Sequence, residues 1–185
     1  MKFLYSLVLL TAVMAGGVFA SGQESPAPQG RTFVTALPVN PVAVSPGRRT
    51  PVDFTFRVES GYHINSSQPL GEELIPTQLH FSLPGEMAVG KIQYPAGELM
   101  DFPFDPKTKL SVYSGDFVVH GLIVAPTAAA LGTYTVHGEL RYQACDNNAC
   151  YPPKKLPFTF DVKISPAARR IPKARPNAAS PHIHN

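Results

Sequence analysis

The sequence predicts an all-β fold, an immunoglobulin-like antiparallel β-sandwich. Three observations lead there. Apolar residues alternate with polar ones at period two in segment after segment. No stretch carries an amphipathic helical pattern of useful length. Prolines and glycines, 20 and 14 of them in 185 residues, punctuate the chain at the spacing of short strands. A β-barrel is the alternative architecture for the same pattern.

Taken in order, the first 20 residues, MKFLYSLVLLTAVMAGGVFA, read as a cleavable secretory signal. Lys2 supplies the positive start, Leu4 to Val13 the apolar stretch, and Val18-Phe19-Ala20 the small-residue cleavage pattern. The apolar run is too short for a good membrane anchor, and no later segment could span a bilayer. Residues 21–30, SGQESPAPQG, are a flexible Pro/Gly/Ser linker with nothing to bury. A single domain is expected over 31–164, long enough to enclose its own core. Residues 165–185 are expected to form a disordered basic tail rich in Pro and Ala.

Within the domain, Val52, Phe54, Phe56 and Val58 alternate with Asp53, Thr55 and Arg57. Leu79, Phe81 and Leu83 alternate with Gln78, His80 and Ser82. The same rule runs through Tyr134, Val136, Leu140 and Tyr142, and again through Leu156, Phe158, Phe160, Val162 and Ile164. Each segment reads as a strand with one buried and one wet face. The segment GDFVVHGLIVA is apolar on both parities and reads as a central strand covered on both sides. Seven or eight strands are expected in all. With no Trp and both cysteines local, the core must rest on Phe, Leu and Val.

Charge excludes some functions. The tail carries Arg169, Arg170, Lys173 and Arg175 without an acid, whereas residues 31–164 hold 11 Lys and Arg against 12 Asp and Glu. The basic excess thus belongs to the tail, and no basic, aromatic-studded face suggests nucleic acid as a partner. His63, His80, His120 and His137 are scattered over strands without ligand spacing, and are expected to be solvated or hydrogen-bonded. Ser114-Gly115-Asp116 is a turn without a nucleophile elbow. No metal site, phosphate-cradling loop or organic cofactor is implied.

The chain's two cysteines lie in RYQACDNNACYPPKK. If Tyr142 points inward, parity turns Arg141, Gln143 and Cys145 outward, so Cys145 should lie outside the core. Asp146-Asn147-Asn148 is a turn built from residues that tolerate left-handed conformations. Cys150 begins the return and Pro152-Pro153 stiffen it, so the cysteines face each other at a hairpin mouth where a disulfide can close. In an exported protein such a pair oxidises by default. Three uses stay open: a structural staple, a redox pair, or two of the ligands of a metal. A staple closing so short a loop contributes roughly 2 kcal/mol, and a metal needs further ligands that the sequence does not place nearby.

YQACDNNACYPP resembles the active-site hairpin of the N-terminal periplasmic domain of the thiol:disulfide interchange protein DsbD and its single-domain relatives. Upstream, GYHINSSQPLGEELIPTQLHF is similar to a strand-and-loop motif of the same family, and the likeness runs from about Thr50 to Ile164. The resemblance implies an immunoglobulin-like fold in which Cys145 and Cys150 cycle between disulfide and dithiol. Electrons would come from a thioredoxin-like donor and go to exported disulfide proteins in the periplasm. By position Cys150 would attack or be attacked and Cys145 would resolve. The family also shields its disulfide with an aromatic cap, for which MDFPFDPKTKL supplies Phe102 or Phe104, with Asp101 a nearby acid. Tyr62 and His63 would flank the pair. The four-residue gap between the cysteines matches the single-domain branch, and neither a transmembrane electron carrier nor a thioredoxin-like domain is present in the sequence. The reading from another class is a non-enzymatic immunoglobulin-like binding module whose disulfide only fixes a loop.

Overall fold

The computed structural model describes residues 30–103 and 105–167. The signal sequence, the linker up to residue 29, Phe104 and the tail from residue 168 lie outside the described residues. The strands are β1 (Val34–Ala36), β2 (Val42–Val44), β3 (Arg49–Val58), β4 (His63–Asn65), β5 (Gln78–Ser82), β6 (Ala88–Val89), β7 (Glu98–Phe102), β8 (Asp105–Tyr113), β9 (Asp116–Val124), β10 (Gly132–Tyr142), β11 (Ala144–Cys145) and β12 (Lys154–Ile164). No helix occurs among the described residues, and none is therefore long and apolar enough to cross a membrane.

Two four-stranded sheets, ordered β1-β3-β9-β6 and β2-β12-β10-β5, face each other as an immunoglobulin-like sandwich. Period-two burial is what joins them. Val52, Phe54, Phe56 and Val58 of β3 are buried, and so are Phe160, Val162 and Ile164 of β12. Across the gap, Phe54 meets Phe160 edge-on at 5.3 Å and Phe56 meets Phe158 edge-on at 5.6 Å, a geometry aromatic quadrupoles favour. A side chain at Gly138, which opposes Phe158 on β10, would run into that ring.

Among the described residues twelve strands form rather than seven or eight, because several are two- or three-residue pieces too short to show a period. The pairs are antiparallel except β2 with β12. Strand β9 is central in its sheet, between β3 and β6, yet it is not covered on both faces as its composition suggested. Phe117, Val119 and Ile123 are buried, while Val118, Leu122 and Val124 are only half-buried on the other face. Inter-strand position and facial cover are separate properties, and apolar composition reported only the first.

A third sheet, ordered β11-β4-β8-β7, also forms. The chain enters it by a switch. Strand β10 pairs with β12 through Tyr142 and Lys154, and after Gln143 the chain pairs instead with β4, Ala144 opposite Ile64 and Cys145 opposite His63. Tyr113 of β8 ties this sheet to the sandwich, stacked on Phe117 at 4.7 Å.

Candidate functional site

Cys145 and Cys150 form a disulfide, paired as an antiparallel bridge with Cα atoms 3.9 Å apart. Asp146 builds the turn between them. Its carboxylate accepts from the N–H groups of Asn148 at 2.7 Å and Ala149 at 2.9 Å, and its own N–H donates to the Ala149 carbonyl. No non-glycine residue among those described has a positive φ. The Asp146-Asn147-Asn148 turn is therefore an Asx turn, in which the Asp side chain does what a left-handed backbone would do.

The two sulfur-bearing residues differ sharply. Cys145 is 0% exposed, whereas Cys150 is exposed. Parity turned Cys145 outward and placed it outside the core, but Cys145 is buried. The switch at Gln143 carries Ala144 and Cys145 into the third sheet, where both are buried.

His63 of β4 lies opposite Cys145, and the β7–β8 hairpin reaches His63. Phe102 is buried at the end of β7 and stacks on the His63 ring, centroids 3.9 Å apart and planes 20° from parallel. Phe102 also packs with Leu110 and Val112 in a small cluster separate from the sandwich core. His63 is the direct cross-strand neighbour of Cys145 and is buried, unlike the exposed His80, His120 and His137. Burial pushes its imidazole down to about 4, against the pull of the Asp146 carboxylate. Its Nε2 has no hydrogen-bond partner. Asp101, by contrast, is exposed and ion-paired with Lys109 at 2.9 Å. The acid whose charge reaches His63 is Asp146, inside the turn.

Next to Cys150, Tyr151 donates its hydroxyl to Asp146 at 2.7 Å. That bond holds the Asp146 carboxyl below its usual range, helped by the two turn N–H groups, and pushes the Tyr151 phenol up to about 12. Tyr151, Tyr62 and Phe33 form an aromatic cluster, with Phe33 4.7 Å from Tyr62 and 4.8 Å from Tyr151. The Arg31 guanidinium lies over Tyr62 at 5.0 Å while paired with Glu59, and Lys154 lies over Phe33 at 5.4 Å. Tyr62 is therefore partly packed on the core and reaches the cysteine hairpin through Tyr151.

Beneath the hairpin lies a polar clamp. Gln143 Oε1 accepts from Asn65 Nδ2 at 3.0 Å and from the Ile75 N–H at 3.1 Å, and Gln143 Nε2 donates to the Tyr151 carbonyl at 3.3 Å. Asn65 Nδ2 also donates to the Ile75 carbonyl, and Thr77 Oγ1 donates to the Asn65 carbonyl at 2.5 Å. Asn65 and Thr77 of the upstream motif thus fix the 66–77 loop and, through Gln143, both sides of the cysteine hairpin. Gln143, Asp146 and Tyr151 were missed as site residues in the sequence. Only Asp146 left a signal, an Asp opening a turn; the other two show themselves once distant segments meet.

The family model described as "Thiol:disulfide interchange protein DsbD, N-terminal" matches residues 31–161. Solved structures similar to the chain include the reduced DsbD N-terminal domain of Neisseria meningitidis, at 22% identity over 60% of this chain and 77% of that one, TM-score 0.40. A complex between the DsbD and PilB N-terminal domains of the same organism matches at 20% identity over 59% and 73%, TM-score 0.40. The N-terminal periplasmic domain of ScsB from Proteus mirabilis matches at 14% identity over 72% and 47%, TM-score 0.43. Among curated proteins, none matches.

Proposed function

The chain belongs to the family of DsbD N-terminal domains, and on that footing we propose that it is a periplasmic thiol–disulfide exchange protein working through Cys145 and Cys150. It accepts electrons from a thioredoxin-like donor and passes them to exported disulfide proteins, with no organic cofactor. The observation that carries the reading is the asymmetry of the pair, one sulfur-bearing residue exposed and the other fully buried.

Exchange proceeds by attack of a thiolate along the S–S axis through a mixed disulfide. A donor thiolate that reaches the sulfur of Cys150, the exposed residue of the pair, forms the mixed disulfide and expels Cys145 as the leaving thiolate. The donor's second thiol then releases Cys150. In the reducing direction Cys150 attacks the substrate disulfide and Cys145 resolves it. Burial of Cys145 keeps the resolving thiol away from other disulfides, and Phe102 with His63 supplies the cap side of the site. Asp146, Tyr151 and Tyr62 form its wall.

Trapping tests the reading. A Cys145→Ser variant, exported to the periplasm, retains the attacking thiol and should accumulate mixed disulfides with the disulfide form of its donor and with exported disulfide substrates. The pair's reduction potential gives a second measure. A value below about −300 mV, together with no trapped partner for either single-cysteine variant, would leave a structural disulfide in a binding module.

A further inference from the structure

His63 sits where a proton acceptor for Cys145 would have to be. The two are directly opposed in the β4–β11 pair, and residues so opposed project from the same face with Cβ atoms roughly 5 Å apart. Both are buried, His63 at 4% and Cys145 at 0% exposure. With its proton on Nδ1, the imidazole presents Nε2 as an acceptor, and that atom is buried without a partner.

An orphaned buried acceptor destabilises the state that holds it, and a state that supplies a donor is relieved of that cost. The oxidised pair offers no donor, because both sulfurs are bonded to each other. Reduction creates an S–H group at Cys145, inside the same enclosure. We propose that His63 is the proton acceptor for Cys145: Nε2 takes a hydrogen bond from the buried thiol in the reduced state, and takes its proton when Cys145 resolves a mixed disulfide. The inference rests on the exchange reading above and adds to it the group that makes the buried thiol a nucleophile.

The steps balance as follows. Cys150, deprotonated to solvent, attacks the substrate disulfide. The Cys150–substrate bond forms, the substrate S–S bond breaks, and the departing sulfur takes a proton from solvent. Nε2 then takes the Cys145 proton, and the Cys145 thiolate attacks the Cys150 sulfur. The Cys145–Cys150 bond forms, and the second substrate sulfur leaves as a thiolate that receives the imidazolium proton. Two electrons and two protons have passed from the pair to the substrate.

The surroundings set when His63 can act. β7 lays Phe102 on the ring, β11 brings Cys145, and β8 opposes the neighbouring positions of β4 with Tyr113 and Val112. The charge acting on the ring is the Asp146 carboxylate, which favours the imidazolium, while burial disfavours it more strongly. Lifting Phe102 for a partner relieves the burial and leaves Asp146 in place, so basicity rises when a mixed disulfide is to be resolved.

Reduced protein mixed with one equivalent of Ellman's reagent separates the two steps. The first release of thionitrobenzoate reports attack by Cys150, the second reports resolution by Cys145. His63→Phe keeps a ring against Phe102 and removes the acceptor. It should slow the second phase at least about tenfold relative to the first, and move the pH midpoint of the second phase upward. His63→Gln, which accepts a hydrogen bond but no proton, should remain slow. A second phase as fast in His63→Phe as in the native protein, at every pH from about 5 to 9, would overturn the proposal. Should the variants fail to fold, the native protein decides: the ¹⁵N resonance of His63 Nε2 must shift on reduction and return on reoxidation, and an identical resonance in both states overturns it. If the native protein releases no thionitrobenzoate at all, the exchange reading fails and this inference with it.

Discussion

Asn65 and Gln143, 78 positions apart, bond to each other twice: the Asn65 N–H to the Gln143 carbonyl at 3.2 Å, and Asn65 Nδ2 to Gln143 Oε1 at 3.0 Å. Gln143 is the residue at which the chain leaves the sandwich for the sheet that carries Cys145. Replacing it by Ala orphans the Ile75 N–H and the Tyr151 carbonyl, and leaves Asn65 Nδ2 only its bond to the Ile75 carbonyl. Gln143→Ala should lower stability by about 1–3 kcal/mol. Urea unfolding with the disulfide intact measures it, and amide exchange at Ile75 should quicken alongside.

Phe102→Ala removes a side chain that is 4% exposed and stacked on His63. A loss of about 3 kcal/mol is expected from the cavity and the lost transfer energy. Reduction of the disulfide by dithiothreitol should become several-fold faster than in the native protein. Equal rates would mean that Phe102 packs without shielding.

The single thiols should differ. In Cys145→Ser the remaining Cys150 is exposed, and in Cys150→Ser the remaining Cys145 is buried. Iodoacetamide at one pH should alkylate the former well before the latter, and mass spectrometry of timed samples reads the difference.

Acid should weaken the fold through His63. Its imidazole is held near 4, below the 6.5 of an exposed histidine, so the unfolded chain binds the extra proton first. Stability is therefore full above about pH 6.5 and falls as pH drops toward 4, by at most on the order of 3 kcal/mol. His63→Phe should flatten that part of the profile, as measured by denaturant midpoints at successive pH values.

Tyr151→Phe removes the first cause of the low Asp146 carboxyl, the phenolic hydrogen bond. In the variant the Asp146 carboxyl should titrate higher by carbon-detected NMR. The alkaline absorbance titration should lose the phenol that ionises near 12.

Much of the sandwich was legible because its signal is local. Alternation in residues 51–58 and 156–164 marks the faces that meet as Phe54 on Phe160 and Phe56 on Phe158. The short strands β4, β6 and β11 left no period, since two or three residues cannot show one. The cysteine hairpin and its facing pair were readable from turn residues and spacing. The clamp through Gln143 was not, because a polar residue at a strand end looks the same whether water or a buried amide satisfies it.

By itself the sequence determined the fold class, the pairing of Cys145 with Cys150 across a turn, and the family likeness that the match over residues 31–161 bears out. The tertiary structure alone decided which sulfur-bearing residue is exposed and which is buried. Parity tells which way a side chain leaves its strand, but burial depends on what another part of the chain lays over it. The switch at Gln143 carries Cys145 into the third sheet, opposite His63 with Phe102 stacked on it, while Cys150 stays in the open.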